Sequence, residues 1–281
     1  MNSVAFDIFG LTINWYGILL TAGIVAGVFF AYFEAKRIGE NTEIILDLAL
    51  LCVPSAVIGA RIYYVLFNLD YYQGDFLRMI NIREGGLAIH GAIIMALIVA
   101  FIYLSIKKKS FLKFADIVAP AIILGQAIGR WGNFTNGEAH GGPTNLPWGI
   151  MVDGVRVHPT FLYESIWNFL IFIFLVWLSR RKKFDGQLIL LYAALYSVGR
   201  FFIEGMRTDS LMFLGFRAAE IISVIIVIFS VAVYMVLSKK IKRDDPEEVI
   251  DMDVEILTVE PIIEIETAIE TKTENIDEAK N

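Results

Sequence analysis

The sequence predicts an all-α, polytopic integral membrane protein with seven transmembrane helices, its N-terminus outside and its C-terminus cytoplasmic. Three observations carry that prediction: an apolar excess, the spacing of the apolar runs, and a lopsided placement of Lys and Arg. Of 281 residues, 57% are hydrophobic and the mean hydropathy is +0.62, whereas a soluble domain usually holds about 45–50% apolar residues. The net charge of −6 divides into two unlike parts. Residues 244–281 hold 14 acids and two lysines, a net of −12, which leaves 22 basic and 16 acidic residues in 1–243, a net of +6. The first stretch reads as a transmembrane domain and the second as an acidic, disordered cytoplasmic tail. Cys52 is the only cysteine, so a disulfide scaffold is excluded. The basic residues punctuate apolar segments rather than coat one face, which argues against nucleic-acid binding.

Each span follows from length. A helix needs about 20 apolar residues to cross roughly 30 Å of hydrocarbon, and seven runs meet that: 14–33, 44–66, 86–106, 113–132, 160–179, 187–204 and 217–238. Backbone groups in lipid must be satisfied internally, so the runs are predicted as helices, and the short alternating strands of a barrel are absent from the sequence. The first run lacks a basic region ahead of it and is followed by Lys36 and Arg37, so it reads as a retained helix rather than a signal peptide. Orientation follows from loop charge. Lys36, Arg37, Lys107, Lys108, Lys109, Lys113, Arg180, Arg181, Lys182, Lys183, Lys239, Lys240, Lys242 and Arg243 make 14 on one side; Arg78, Arg83, Arg156 and Arg207 make four on the other. The longest outer connections are 67–84 and 133–158, the second rich in Gly, Asn and Pro.

Charged side chains inside spans are costly and mark a site or a pathway. On this topology Tyr16, Arg61, His90, Arg130, Glu164, Arg200, Glu204, Arg217 and Glu220 all fall near the outer ends of their helices; only Asp47 and Asp116 lie clearly in inner halves. One polar layer at one depth points to a shared site rather than an ion pathway, which would need groups at several depths. Tyr196, Arg200, Glu204 and Arg207 are spaced i, i+4, i+8 and i+11, so they form one stripe on the sixth span. Guanidiniums from several helices at headgroup depth suit a phosphate ester, and an anionic phospholipid supplies one there. A lone histidine at a helix end is often a structural group, but beside this layer His90 reads as a general base. His158 precedes Pro159 and reads as a structural cap; His140, in the glycine-rich loop, is compatible with either role. Three histidines on separate segments form no metal pattern, and no metal or cofactor is expected.

The string Gly129-Arg130-Trp131-Gly132-Asn133-Phe134-Thr135-Asn136-Gly137-Glu138-Ala139-His140-Gly141 resembles the signature of the bacterial prolipoprotein diacylglyceryl transferase family. Four more segments agree in order: Gly85 to Gly91, His158-Pro159-Thr160 with Leu162-Tyr163-Glu164, Asp185-Gly186, and Gly199-Arg200-Phe201-Phe202 with Glu204 and Arg207. The resemblance covers residues 10–240 and implies seven helices and a catalytic domain in the cell membrane, with its site facing the outer leaflet. The implied reaction transfers the diacylglyceryl group of phosphatidylglycerol to the lipobox cysteine of a prolipoprotein, forming a thioether and releasing glycerol 1-phosphate. His90 is then the base that deprotonates the thiol, and Arg130 and Arg200 stabilise the leaving phosphate. Asn133, Asn136 and Glu138 would hold glycerol hydroxyls or orient Arg130, and Glu204 would fix Arg200. Tyr16 and Gly141 match positions important in the family; Arg61, Tyr196 and Arg207 complete the expected substrate-binding set. One departure is Glu220, where many relatives carry glutamine; pairing with Arg217 is its expected role. Two rivals are weighed beside this. An intramembrane serine protease would need a pair such as Ser165 and His158, and a non-catalytic transporter or receptor for an anionic lipid would need broken helices at midplane.

Overall fold

Seven long helices and two short ones dominate the computed structural model, which describes residues 3–8, 11–72, 74–82, 85–208, 212, 213 and 215–244. A hairpin of β1 (Val4–Ile8) and β2 (Leu11–Asn14) leads into α1 (Trp15–Arg37), followed by α2 (Thr42–Leu66). The short helices α3 (Leu69–Tyr72) and α4 (Phe76–Ile80) occupy the next connection, before α5 (Ile89–Ile106) and α6 (Phe111–Asn136). A second hairpin, β3 (Ile150–Val152) with β4 (Val155–Val157), precedes α7 (Thr160–Ser179) and α8 (Gln187–Glu204). A third, β5 (Met212–Phe213) with β6 (Phe216–Arg217), precedes α9 (Ala218–Asp244). All three hairpins are two-stranded and antiparallel. The first precedes the first apolar run and the other two lie between runs, where short connections can satisfy their own backbone.

The helices α1, α2 and α5 to α9 are long and apolar enough to cross a membrane, one for each predicted span. Their outward faces are apolar as well: Val25, Phe29 and Phe33 on α1 and Ile93, Leu97 and Phe101 on α5 are all exposed. Such continuous faces belong in hydrocarbon rather than water. The chain divides into two compact units, residues 1–233 and 234–281. Of the second, the described residues are the end of α9, and the predicted tail from 245 onward lies outside them, as does Arg83.

Most helix ends fall within a few residues of the expected bounds, and one difference bears on the site. The fourth span was predicted to stop at 132, with Asn133 and Asn136 in the loop that follows. Instead α6 runs on to Asn136 and ends on Gly137, whose φ of +69° is the left-handed conformation that glycine tolerates. The amide of Gly137 then donates to the Phe134 carbonyl and that of Glu138 to the Asn133 carbonyl.

Close packing is set by small residues, as expected where lipid supplies no hydrophobic drive between helices. A Cβ on Gly23 would stand 2.8 Å from the Gly125 carbonyl oxygen, so α1 and α6 touch backbone to backbone. A Cβ on Gly91 would stand 2.2 Å from the Gly59 carbonyl oxygen, which ties α5 equally closely to α2. The helices α6, α7 and α8 share a further core of Ala119, Ile123, Ile171, Leu175 and Leu188.

The basic turns gather at one end of the bundle. Glu40, in the α1–α2 turn, meets Lys109 at 2.8 Å and Lys113 at 2.7 Å, and these two ammonium groups hold its carboxyl below the usual carboxylate range. Asp116 of α6, 1% exposed, accepts the backbone amides of Gly186, Leu188 and Ile189 at 2.9–3.0 Å and meets Lys182 at 3.2 Å. A carboxylate from one helix thus caps the N-terminus of another, satisfying orphan donors that Gly186 alone leaves open. Asp47, the other acid expected at this end, accepts the hydroxyl of Tyr103.

Candidate active site

The opposite end of the same helices carries the arginines, and α6, α7 and α8 bring them together. Arg130, in the last two turns of α6, faces Glu164, in the second turn of α7: Nε to Oε2 is 2.6 Å. Arg200 of α8 reaches the other oxygen of the same carboxylate, Nη1 to Oε1 at 3.0 Å, while its Nη2 meets Glu204 at 2.6 Å. Arg207 approaches Glu164 Oε1 at 3.8 Å. Glu164 is 5% exposed and Glu204 3%. Tyr196, one turn before Arg200, accepts a hydrogen bond from Arg130 Nη2 at 3.1 Å. Of the predicted stripe, Tyr196, Arg200 and Glu204 lie on α8 and meet α6 across Glu164, whereas Arg207 falls beyond the end of the helix.

Below the ions lies a neutral polar layer. One turn down on each helix, Gln126 of α6 donates to the hydroxyl of Tyr192 of α8 at 2.9 Å, and Asn168 of α7 is 1% exposed. A further turn down begins the apolar core of Ile123, Ile171 and Leu188. Ser165 closes the α6–α7 contact, donating to the Ala127 carbonyl at 2.8 Å and accepting from Trp131 Nε1 at 3.1 Å.

The connection after α6 frames this cluster. Glu138 Oε1 accepts from Asn136 Nδ2 at 3.1 Å and from Asn133 Nδ2 at 3.4 Å, so these three predicted residues hold one another at the end of α6. Gly141 is bridged antiparallel to Arg207, and its amide donates to the His158 carbonyl at 2.9 Å. The Gly142 amide donates to the Met206 carbonyl at 3.0 Å. A Cβ on Gly141 would stand 2.7 Å from that of His158, so only glycine lets this strand lie between the start of α7 and the residues after α8. Arg207 is aimed by that clamp. Tyr16, in the first turn of α1, lays its ring on Gly132, where a Cβ would stand 2.7 Å from Cδ2.

Two predicted residues lie apart from the arginines. Arg61 of α2, 5% exposed, spends its guanidinium on backbone carbonyls: Met79 at 2.9 Å, Arg78 at 2.6 Å, Gly85 at 2.6 Å and Gly86 at 3.1 Å. It also lies 5.2 Å from the Tyr72 ring. Expected as a phosphate ligand, its guanidinium is instead occupied by carbonyls of α4 and of the α4–α5 connection. His90 is the second residue of α5, exposed, with its ring 6.0 Å from that of Tyr63. Among the described residues no hydrogen bond or ion pair joins it to the arginines.

Arg217 and Glu220 pair at 3.1 Å, as their spacing suggested. The protease alternative fails on geometry: Ser165 is engaged by Ala127 and Trp131, while His158 Nδ1 faces the Tyr163 hydroxyl at 3.3 Å. His140 Nδ1 lies 3.0 Å from the Gly141 carbonyl oxygen. Among the described residues no group of three His, Cys, Asp or Glu is arranged to hold a metal.

Glu164 is the residue that sequence reasoning undervalued. A signal was present: positions 160, 161, 167 and 168 are Thr, Phe, Trp and Asn, so no base on its own helix can neutralise it. An intramembrane acid without a local base must find its partner on another helix.

A sequence model of the prolipoprotein diacylglyceryl transferase family matches residues 3–236 of this chain. The chain is 54% identical over 248 residues to the phosphatidylglycerol–prolipoprotein diacylglyceryl transferase of Clostridioides difficile, covering 88% of this chain and all of the relative. It is 51% identical over 248 residues to that of Finegoldia magna, covering 87% and 99%. Against that of Clostridium botulinum it is 46% identical over 253 residues, covering 86% and 100%.

Proposed function

The chain belongs to the prolipoprotein diacylglyceryl transferase family, and from that premise we propose that it moves the diacylglyceryl group of phosphatidylglycerol onto the lipobox cysteine of prolipoproteins. The observation that carries the chemistry is the convergence of Arg130, Arg200 and Arg207 on one buried polar layer. The cysteine thiol gives its proton to His90 and becomes the thiolate, which is the nucleophile. Sulfur then bonds to the glyceryl carbon that carries the phosphate, and the carbon–oxygen bond breaks with its electron pair left on oxygen. Thiolate and phosphodiester, one negative charge each, become a neutral thioether and glycerol 1-phosphate with two. Negative charge therefore accumulates on the phosphate as the bond breaks, and fixed guanidiniums stabilise it there.

The bundle lies in the cell membrane with the basic turns at the cytoplasmic face, a reading supported by the 14-to-4 loop bias. The arginine layer then faces the outer leaflet, where a secreted precursor still tethered by its signal peptide can reach it. His90 is assigned as base because it stands at the start of α5 at that same end. Glu204 orients Arg200, and Glu138 with Asn133 and Asn136 shapes the mouth of the site.

The test is to incubate the purified protein with phosphatidylglycerol vesicles and a lipobox peptide and follow the products by mass spectrometry. A peptide gaining one diacylglyceryl group, with equimolar glycerol phosphate, is expected; an unmodified peptide refutes the reading. His90→Ala is expected to lose about 100-fold or more in turnover, the usual span for a general base, with unchanged membrane insertion. Wild-type turnover in that variant would remove His90 as the base without touching the reaction.

A further inference from the structure

We propose that Glu164 is the resident counter-ion of the arginines, a positioning residue that competes with the substrate's phosphate for them. The inference rests on the transfer reaction above. One carboxylate takes two guanidiniums at once, Oε2 on Arg130 at 2.6 Å and Oε1 on Arg200 at 3.0 Å, with Arg207 at 3.8 Å. Two anionic oxygens bridging two forks is the arrangement that two phosphate oxygens of a phosphodiester would make on the same groups.

The two arginines depend on Glu164 unequally. Arg200 also holds Glu204. Arg130 has Glu164 as its one ion-pair partner among the described residues, beside the neutral Tyr196 hydroxyl. Without Glu164, the half-buried guanidiniums of Arg130 and Arg200 would face each other beside Arg207, with Glu204 still paired to Arg200. A like-charged pair in a low-dielectric site repels strongly, so an incoming anion would gain what Glu164 now supplies. Glu164 therefore weakens phosphate binding while it fixes where both forks point.

That double role predicts a split in kinetics. In Glu164→Gln the competing charge is gone, so KM for phosphatidylglycerol is expected to fall several-fold. The forks lose their shared anchor, so kcat falls about tenfold to 100-fold. Falling together, the two parameters are the mark of lost ground-state competition plus lost transition-state alignment. Glu164→Asp keeps the charge one methylene short and is expected to recover part of kcat. An effect on folding alone would lower the yield of active protein and leave KM where it was. Unchanged KM and kcat in Glu164→Gln, or a raised KM, overturns the proposal.

A binding measurement separates this idea from the reaction itself. Short-chain phosphatidylglycerol titrated calorimetrically into the detergent-solubilised protein is expected to bind several-fold tighter to Glu164→Gln than to wild type. Equal or weaker binding at an unchanged melting temperature overturns the counter-ion role, whether or not the wild type transfers lipid. If Glu164→Gln does not fold, the likewise uncharged Glu164→Met is read in its place, and equal or weaker binding there overturns the proposal too.

Discussion

Arg130→Lys is expected to abolish measurable diacylglyceryl transfer, a loss of about 100-fold to 1,000-fold on the scale set by deleting one preorganised donor from an anion site. The charge survives this substitution, so the effect isolates geometry. Arg130 uses Nε for Glu164 and Nη2 for Tyr196 at the same time, on two edges of one plane. An ammonium has no such edges; it is a point donor on a flexible stem. Turnover of a lipobox peptide, measured beside the melting temperature of the same preparation, checks the prediction. Activity within a few-fold of wild type would mean that only the charge of Arg130 matters, and the orienting roles of Glu164 and Tyr196 would fall with it.

The second large effect is structural. Arg61→Leu removes the donor to four backbone carbonyls contributed by residues 78, 79, 85 and 86. Hydrogen bonds from a charged group contribute about 1.5–3 kcal/mol each, and unmade buried carbonyls cost a similar amount. Since such terms do not add fully, a net loss on the order of 3–5 kcal/mol is expected for this region. It is expected to surface as fast proteolysis between 67 and 88 and as a lower melting temperature. Transfer should fall as well, because the same connection ends where α5 presents His90. A protease pattern and melting curve identical to wild type would show that the connection holds without its arginine.

The contrast between these two arginines shows what a sequence discloses. Both sit near the end of an apolar run, and composition alone gives them the same status. The spans were legible because hydrocarbon thickness fixes their length, and the gathering of charges at one end was legible because seven antiparallel crossings fix their depth. Depth says nothing about direction around a helix axis or about which loop folds back. Arg61 is captured by carbonyls of α4 and of the α4–α5 connection, in which Gly85 and Gly86 take left-handed conformations. Arg130 faces an acid on the adjacent helix. The extension of α6 through Asn136 was hidden for a related reason: its polar residues look like a loop, yet Glu138 satisfies the two asparagine amides and Gly137 supplies the stop. Glu164 was visible as a charge in the layer, but its place as the hub depends on the pairing of α6 with α7 and α8, which no local pattern encodes.

The layering of α6, α7 and α8 has a consequence for where charge can be held in this bundle. Within about two helical turns, some 11 Å at 5.4 Å per turn, the contact between these helices passes from Arg130 and Glu164, through Gln126, Asn168 and Tyr192, to Ile123 and Ile171. A phospholipid runs through the same order along its own axis, from phosphate to glyceryl esters to acyl chains. The lower two levels are closed by packing, with Asn168 1% and Ile123 0% exposed, so the gradient is the protein's own. It lets three guanidiniums stand over an apolar core with no abrupt step from charge to hydrocarbon.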